Sequence, residues 1–291
     1  MRRRFIFLML APALLVYSGF FIAPAVQTFV LSFVELSGFG QPAAWAGLDN
    51  YAEAFRDPVF RIAALNTLAI VFVGGFFVFA LAFLFSMALS SGIRGKRFFR
   101  AVLFFPFVVS VFAAVAAWRM VYDPRSGLLN SALGLVALDP VAWTAGPNLF
   151  WAMLVAMVWT YLGFYVVLLL AGIDKIPRDY FEAAELQGAT ELQKFRHITL
   201  PLIPGVVVIA YVIWIISAVK NFEFPYAFGG LNIPQDIYNT SVYMYVTGFG
   251  QRDPIFKLGY ASAIGVLSIV VSMALVWVVR RLFHRDAEDL G

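Results

Sequence analysis

Six long stretches of the sequence contain no Asp, Glu, Lys or Arg, and they restrict the possible folds more than any other feature. A helix needs about 20 apolar residues to cross the hydrocarbon core of a bilayer. Helices satisfy their own backbone hydrogen bonds there, and the stretches lack the alternation typical of membrane β-strands. The sequence therefore predicts an all-α, polytopic membrane protein with six transmembrane helices. The stretches are Phe5–Val34, Ile62–Ile93, Ala101–Trp118, Pro140–Ile173, His197–Val219 and Leu258–Val279.

The composition agrees with a membrane protein and excludes several kinds of site. Hydrophobic residues make up 62% of the chain and charged residues 13%, whereas soluble domains are about half apolar and about a quarter charged. The net charge of +4 does not indicate a nucleic-acid partner, because the basic residues form short clusters between the apolar stretches. The chain has no cysteine and two histidines, His197 and His284. We therefore expect no thiolate site and no metal site.

The distribution of Lys and Arg predicts which side of the membrane each connection faces. Fourteen of the 21 Lys and Arg residues lie at the N-terminus, in 94–100, in 175–196 and in 280–285. Because positive charge favours the cytoplasmic side, we expect both termini in the cytoplasm and a multi-pass chain in the cytoplasmic (inner) membrane, with residues 1–291 as one transmembrane domain. A signal peptide at the N-terminus is the alternative, but this apolar stretch exceeds the usual length of about 7–15 residues.

The connection Ala171–Gly205 differs from the others because it predicts two short helices joined by a tight turn. Pro177 suits the first turn of a helix. Gly188 suits the left-handed residue that ends a helix. Thr190 and Gln193 fit a capping box that starts a second helix. Two prolines then mark the end of that helix and the entry to the next apolar stretch, Pro201 and Pro204.

The first of these helices carries a pair of carboxylates beside two small residues. Glu182 and Glu185 are three residues apart and share a helix face. Ala183 and Ala184 allow a close approach by another molecule. This pattern suits a partner that supplies Arg or Lys. It is equally compatible with an amphipathic loop on the membrane surface, so the residues alone leave both interpretations open.

The same connection resembles a known family motif. Glu182-Ala183-Ala184, Gly188 and Ile198–Pro201 resemble the EAA motif of permease subunits in binding-protein-dependent ABC importers. The nine residues between Gly188 and Ile198 match the spacing of that motif. Other stretches resemble the carbohydrate-importer branch of the maltose and glycerol-phosphate permease type: Gly47–Tyr51, Asn66-Thr67, Gly127–Asn130 and Gly259–Ala263.

Two positions depart from the family pattern. Gln187 stands where the family commonly has Asp, which changes one charge of the expected docking surface. Leu231 follows Gly229-Gly230 where the family often has proline. The first departure does not change the expectation of docking. The second departure leaves the class of substrate open.

The resemblance implies a transport function with separate partner subunits. Residues 174–201 would form a cytoplasmic coupling loop whose helix, Asp179–Gly188, is seated in a cytoplasmic ATPase dimer. The chain itself has no phosphate-binding loop motif, so it is expected to be no enzyme and to bind no cofactor, with ATP and Mg on the ATPase. The other implied partners are a second, different permease chain, an extracytoplasmic solute-binding protein, membrane lipid, and a sugar or related solute. The residues implied in coupling are Glu182, Ala183, Ala184, Glu185, Gly188 and Pro201.

Candidates for the substrate pathway follow from residue type. Sugar sites combine aromatic faces with a few polar anchors. Aromatic residues near membrane-spanning segments also serve as core packing or as interfacial belts, so each candidate has a structural alternative. The candidates are Trp159, Tyr161, Tyr165, Trp214, Asn221 and Glu223.

Two other functional classes remain as alternatives. A secondary transporter driven by an ion gradient tends to place ionisable residues or broken helices at mid-membrane, and the six stretches lack such residues. A membrane-embedded enzyme needs a convergent nucleophile, base or metal set, and the sequence shows no such motif.

Overall fold

The computed structural model describes residues 2–38, 40–91, 93–251 and 256–288, with side chains between 9 and 282, and this part of the chain is predominantly helical. Three π-helical turns interrupt the helices, at Ser18–Ile22, Ile70–Gly74 and Phe195–Thr199. A short 3-10 helix spans Gln235–Ile237. The α-helices are α1 (Arg2–Tyr17), α2 (Ala23–Leu31), α3 (Asp49–Arg56), α4 (Pro58–Ala69), α5 (Gly75–Ser90), α6 (Lys96–Val108), α7 (Val111–Val121), α8 (Leu128–Leu135), α9 (Asn148–Ile173), α10 (Arg178–Leu186), α11 (Glu191–Lys194), α12 (Leu200–Leu202), α13 (Pro204–Lys220), α14 (Glu223–Gly229), α15 (Thr240–Phe249) and α16 (Leu258–Glu288).

Four helical segments of the described chain are long and apolar enough to cross a membrane. They coincide with the first, second, fourth and sixth apolar stretches of the sequence. Helices of this length and composition are those that the hydrocarbon core requires. The segments are Met9–Leu31, Pro58–Ser90, Asn148–Ile173 and Leu258–Leu282.

The third and fifth apolar stretches form bent pairs of helices rather than single straight ones. Helices α6 and α7 meet at 100°, because Val109 is extended and Ser110 caps α7 by accepting a hydrogen bond from the Ala113 N–H. Helices α12 and α13 meet at 82° at Ile203, next to Pro204. A proline disfavours helical backbone in the preceding residue, which explains the second break. The described chain has six spans if each bent pair counts as one.

The described residues divide into two compact units, the first within Met1–Arg61 and Thr240–Val271. In this unit β1 (Val34–Glu35) pairs antiparallel with β2 (Ala44–Trp45). The buried Asn50 side-chain amide donates to the carbonyl oxygens of Ser32 and Val34, at 2.9 and 3.0 Å. This amide fixes the end of the first apolar segment to α3.

A half-buried carboxylate also organises the first unit. Asp57 accepts hydrogen bonds from the hydroxyls of Tyr243 and Tyr260 and from the Val59 N–H. Burial opposes ionisation of Asp57, but these hydrogen bonds outweigh it and lower its pKa. Asp57 is therefore a charged anchor between α3, α15 and α16 in this unit.

Helix α9 is the centre of the second unit, which comprises the described residues within Ile62–Asn239 and Ser272–Gly291. It packs against α5, α6, α7 and α13. Of its most apolar 18 consecutive residues, 67% are buried. Gly163 permits the approach of α6, since a Cβ at this position would collide with the Leu103 carbonyl. Small residues allow such close helix contacts in membranes.

Candidate functional site

The segment 174–201 contains the two short helices that its sequence predicts. Helix α10 starts at Arg178, with Pro177 just before it, and ends with Gln187 as its C-cap. Gly188 has φ of +74°, and its N–H donates to the Glu185 carbonyl at 2.9 Å. The Ala189 N–H donates to the Ala184 carbonyl at 3.0 Å. These two bonds define a Schellman turn, and they confirm the predicted helix end at Gly188.

The predicted capping box is also confirmed. The Thr190 N–H donates to the Gln193 side chain at 2.8 Å, and the Gln193 N–H donates to the Thr190 hydroxyl at 3.4 Å. Helix α11 then continues through the π-helical turn Phe195–Thr199 into α12, which contains the half-buried Pro201. The second helical element of this segment therefore reaches the base of α13.

The two carboxylates of α10 have different surroundings. Glu185 accepts a hydrogen bond from the Lys194 ammonium at 2.9 Å, although 60% of its side chain is exposed. Glu182 is exposed, and the described residues provide it with no salt-bridge partner within 4.0 Å. The sequence pattern treated the two as a pair for an external cation, whereas the structure engages Glu185 internally.

Lys194 is a residue that sequence reasoning missed. Only 8% of its side chain is exposed, and its ammonium lies 2.5 Å from Glu191 and 2.9 Å from Glu185. Hydrogen bonds to Glu191 and Glu185 raise the pKa of Lys194, so it stays charged. The spacing of Glu191 and Lys194, three residues apart on one helix, was the available signal.

Apolar side chains extend into solvent beside the exposed carboxylate. Leu186 is 91% exposed at the end of α10, and Leu192 is 75% exposed on α11. Ala183 is exposed and Ala184 is partly covered. Exposed apolar residues rimmed by charge are typical of a protein-binding surface. Leu186 was not predicted, because a single leucine in a short helix has no distinguishing pattern.

A polar cavity of about 550 Å³ lies beneath this loop. Its lining includes Glu182, Glu185 and Lys194 from the loop. It also includes Lys96 and Asp174, which form an ion pair of 3.0 Å between the start of α6 and the end of α9. The segment 174–201 thus sits over charged groups that connect it to two helices of the second unit.

A second cavity, of about 400 Å³, brings together most of the predicted pathway residues. Helices α9 and α13 supply its walls, and aromatic rings dominate the lining beside a few polar groups. Trp159 is the exception among the predicted residues, because its ring lies 5.7 Å from that of Trp118 and 40% of the side chain is exposed. The predicted residues that line the cavity are Tyr161, Tyr165, Trp214, Asn221 and Glu223.

Hydrogen bonds fix the polar end of this cavity. The Asn221 amide donates to the Tyr161 hydroxyl at 3.1 Å, and its carbonyl oxygen accepts from the Phe224 N–H at 3.2 Å. Lys220 and Glu223 are exposed at the same end. The polar end of the cavity therefore offers the Tyr161 hydroxyl, the Asn221 amide and one charge of each sign beside its rings.

The apolar wall of the cavity is held by Trp214. Its indole N–H donates to the Val71 carbonyl at 2.9 Å, within the π-helical turn Ile70–Gly74. A Cβ at Gly75 would lie 2.6 Å from the indole nitrogen, so only glycine leaves room for the ring. Tyr165 contacts Trp214 edge to face, with ring centroids 5.7 Å apart. Both side chains are buried, so their positions in the wall are set by packing.

A family model matches residues 80–286, a range that contains the loop and both cavities. That model describes the inner membrane component of binding-protein-dependent transport systems. The chain belongs to this family. Being a member, it is a multi-pass inner-membrane protein and a permease subunit of an ABC importer.

Relatives of this permease include sugar-transport proteins over nearly the full length. It is 30% identical to a trehalose/maltose transport system permease of Thermococcus litoralis, over 96% of this chain and 94% of the relative. It is 31% identical to a diacetylchitobiose uptake system permease of Streptomyces coelicolor, over 97% of this chain and 83% of the relative. Arabinooligosaccharides are named for a third relative, from Bacillus subtilis, which is 29% identical over 92% of this chain and 85% of the relative.

Solved structures show the same fold. A chain of a bacterial ABC transporter that imports the acidic polysaccharide alginate matches with a TM-score of 0.81. The match covers 98% of this permease and 96% of that chain, at 23% identity. A second structure of an alginate ABC transporter, in complex with a periplasmic protein that holds an alginate pentasaccharide, gives a TM-score of 0.82.

Proposed function

We propose that this permease forms half of the translocation pathway for a sugar or related solute, and that loop 174–201 couples it to a separate cytoplasmic ATPase. The observation that carries the proposal is the form of α10, which ends in a Schellman turn and exposes Glu182 and Leu186. A short helix with exposed charged residues and an exposed apolar tip suits a groove on a protein partner. The names of the relatives support the substrate class.

In this proposal, residues 1–291 form one permease domain with six spans and both termini in the cytoplasm. Four helical segments and the two bent pairs supply the six crossings. The clusters of Lys and Arg support the orientation, because the N-terminus, residues 94–100, the loop 174–201 and residues 280–285 together carry 14 of the 21 Lys and Arg residues. This orientation turns the coupling loop toward the ATPase.

The proposed coupling residues have distinct tasks. Glu182 pairs with a cation of the ATPase, and Ala183 and Ala184 permit the groove to approach the helix backbone. Gly188 supplies the turn, and Pro201 belongs to the element that joins the loop to α13. Glu185, which is engaged by Lys194, orients the helix rather than binding the partner directly.

The proposed substrate contacts are the groups around the cavity of about 400 Å³. Tyr165 and Trp214 offer aromatic faces to a sugar ring, and Tyr161 and Asn221 offer hydrogen bonds to its hydroxyls. Glu223 accepts a hydrogen bond at the polar end. Trp159 lies against Trp118 away from this cavity and is not part of the proposal.

The remaining partners follow from the importer assignment. A solute-binding protein delivers the substrate from outside, and a second permease chain completes the pathway. ATP and Mg bind the ATPase, and this chain binds no cofactor and catalyses no reaction. ATP binding closes the ATPase dimer, which moves α10 and favours the outward-facing state of the pore. Such a shift requires ATP to bind one state more tightly than the other.

Reconstituted transport tests the proposal. The permease is purified with its associated subunits, placed in proteoliposomes and supplied with substrate-loaded binding protein. We expect uptake of labelled sugar only when ATP is present on the ATPase side. An imposed proton or sodium gradient without ATP should give no uptake. Uptake driven by the gradient alone would instead identify a secondary transporter and contradict the proposal.

A further inference from the structure

Lys194 is a buried cation whose partners are both on the surface. Its side chain is 8% exposed, whereas those of Glu185 and Glu191 are 60% and 75% exposed. Burying an ammonium group costs free energy unless it is paired and hydrogen-bonded. Here the two carboxylates lie 2.9 and 2.5 Å from the ammonium and compensate its charge.

The ion pair to Glu185 crosses the turn between the two helices. Glu185 lies in the last turn of α10, and Lys194 is the last residue of α11, nine positions later. Glu191, the first residue of α11, is the second partner of the same ammonium. The bond to Glu191 therefore stays within one helix, and only the bond to Glu185 joins the two helices.

The backbone of the turn is restrained locally by the hydrogen bonds of the Gly188 and Ala189 N–H groups and by the capping box of α11. A Cβ built at Gly188 meets no atom within 4 Å, so the space beside this residue is open. The ion pair between Glu185 and Lys194 adds a side-chain restraint across the turn.

We propose that Lys194 is the positioning residue of the coupling helix, setting the angle of α10 relative to α11 through Glu185. Helix α11 continues through a π-helical turn to α12 and ends where α13 begins. Displacement of α10 then moves the base of α13, whose Trp214 lines the cavity. This inference rests on the proposed function for its consequence in transport, but its geometric part stands without it.

The absence of cysteine makes a direct measurement of this angle possible. Cysteines replace the exposed Leu186 and Leu192, and spin labels on them report the distance between α10 and α11 in proteoliposomes. We expect a narrow distance distribution in the parent and a broad one in Lys194→Met. Lys194→Arg, which keeps the charge, should restore the narrow distribution. The matched control is Lys175→Met, which removes a positive charge from the exposed end of the same loop.

The consequence for coupling is measured on the unlabelled complex. In Lys194→Met, ATP hydrolysis stimulated by loaded binding protein should fall roughly fivefold, the order expected when a part-buried ion pair is lost. Glu185→Gln should give a similar loss. The double variant should be no worse than Lys194→Met alone, since both changes remove the ion pair between Glu185 and Lys194. In Lys194→Met, basal hydrolysis and membrane insertion should be unchanged.

Three results would overturn the inference. An unchanged distance distribution in Lys194→Met would show that the ammonium does not set the angle. A broad distribution with normal stimulated hydrolysis would show that the angle does not matter for coupling. Additive losses in the double variant would show that Lys194 acts on something other than Glu185. Failure of the proposed function is a separate outcome, since the parent complex would then contain no ATPase at all.

Discussion

Replacing Trp214 by phenylalanine should destabilise the second unit and loosen the wall of the substrate cavity. The indole N–H is the donor that satisfies the Val71 carbonyl, 2.9 Å away, in a buried π-helical turn. Phenylalanine keeps an aromatic ring but leaves that carbonyl without this donor. A buried acceptor left without its donor costs about 1–3 kcal/mol. The smaller ring beside Gly74 and Gly75 adds about 1 kcal/mol through lost packing.

The predicted loss can be measured as a melting temperature. For a chain of this size, a destabilisation of about 2–4 kcal/mol corresponds to a lower Tm by about 3–7 °C. The assay is thermal unfolding of the detergent-purified permease, followed by size-exclusion chromatography after heating. Trp151→Phe is the matched control. Trp151 lies on α9 in the same unit as Trp214, but it is 53% exposed.

A second change at the same contact sharpens this test. Gly75→Ala places a methyl group 2.6 Å from the indole nitrogen of Trp214, so the ring must shift. The two changes disturb one contact, and we expect the double variant to lose less than the sum of the single losses. The reasoning is refuted if Trp214→Phe melts within about 1 °C of the Trp151→Phe control, a difference well below the predicted shift.

Three further predictions concern the proposed coupling loop and helix α8. Glu182→Lys should reverse the exposed charge of α10, so co-purification of the ATPase and sugar uptake should fall about tenfold or more; normal uptake would exclude Glu182 as the pairing residue. Gly188→Val should strain the turn, because a β-branched residue resists φ of +74°, and hydrolysis stimulated by binding protein should fall while basal hydrolysis stays. Asn130→Ala should lower Tm by several degrees, about the effect of 2 kcal/mol, because its side chain bonds the Val141 backbone and the Trp143 indole; an unchanged Tm would contradict this role.

The features that sequence reasoning predicted are those set by neighbouring residues. The helix end at Gly188 and the capping box of Thr190 and Gln193 depend on residues at most five positions apart, and both are present. The apolar stretches also predicted where long helices occur, because a span must be continuous in sequence.

The features it missed depend on contacts between distant residues or on local breaks. Val109 is extended in the middle of an apolar stretch, and no residue type there distinguishes it from the helical valines. Sequence reasoning counted Lys194 only as a positive charge in a loop. Its ion pair with Glu185, nine positions earlier, cannot be read from the residues next to it. The π-helical turn that receives Trp214 follows from packing between two helices rather than from a local motif.

The aromatic residues predicted for the substrate pathway show that residue type and helix face give different information about position. Tyr161 and Tyr165 are four positions apart on α9 and so share a face, and both line the cavity. Trp159 is two positions from Tyr161, about 200° around the same helix, and it contacts Trp118 instead. Residue type alone therefore does not tell which face of α9 an aromatic side chain occupies, because the face depends on packing.

Photocrosslinking at the tip of α10 tests the central claim most directly. A single cysteine replaces Leu186, which is 91% exposed, in this cysteine-free chain, and it carries a short photoreactive maleimide in native membrane vesicles. We predict one main crosslinked product, identified by mass spectrometry as an ATPase with a phosphate-binding loop, and labelling only in vesicles that expose the cytoplasmic face. Labelling from the extracytoplasmic face, or crosslinks to lipid without any ATPase, would contradict the assignment of 174–201 as the coupling loop.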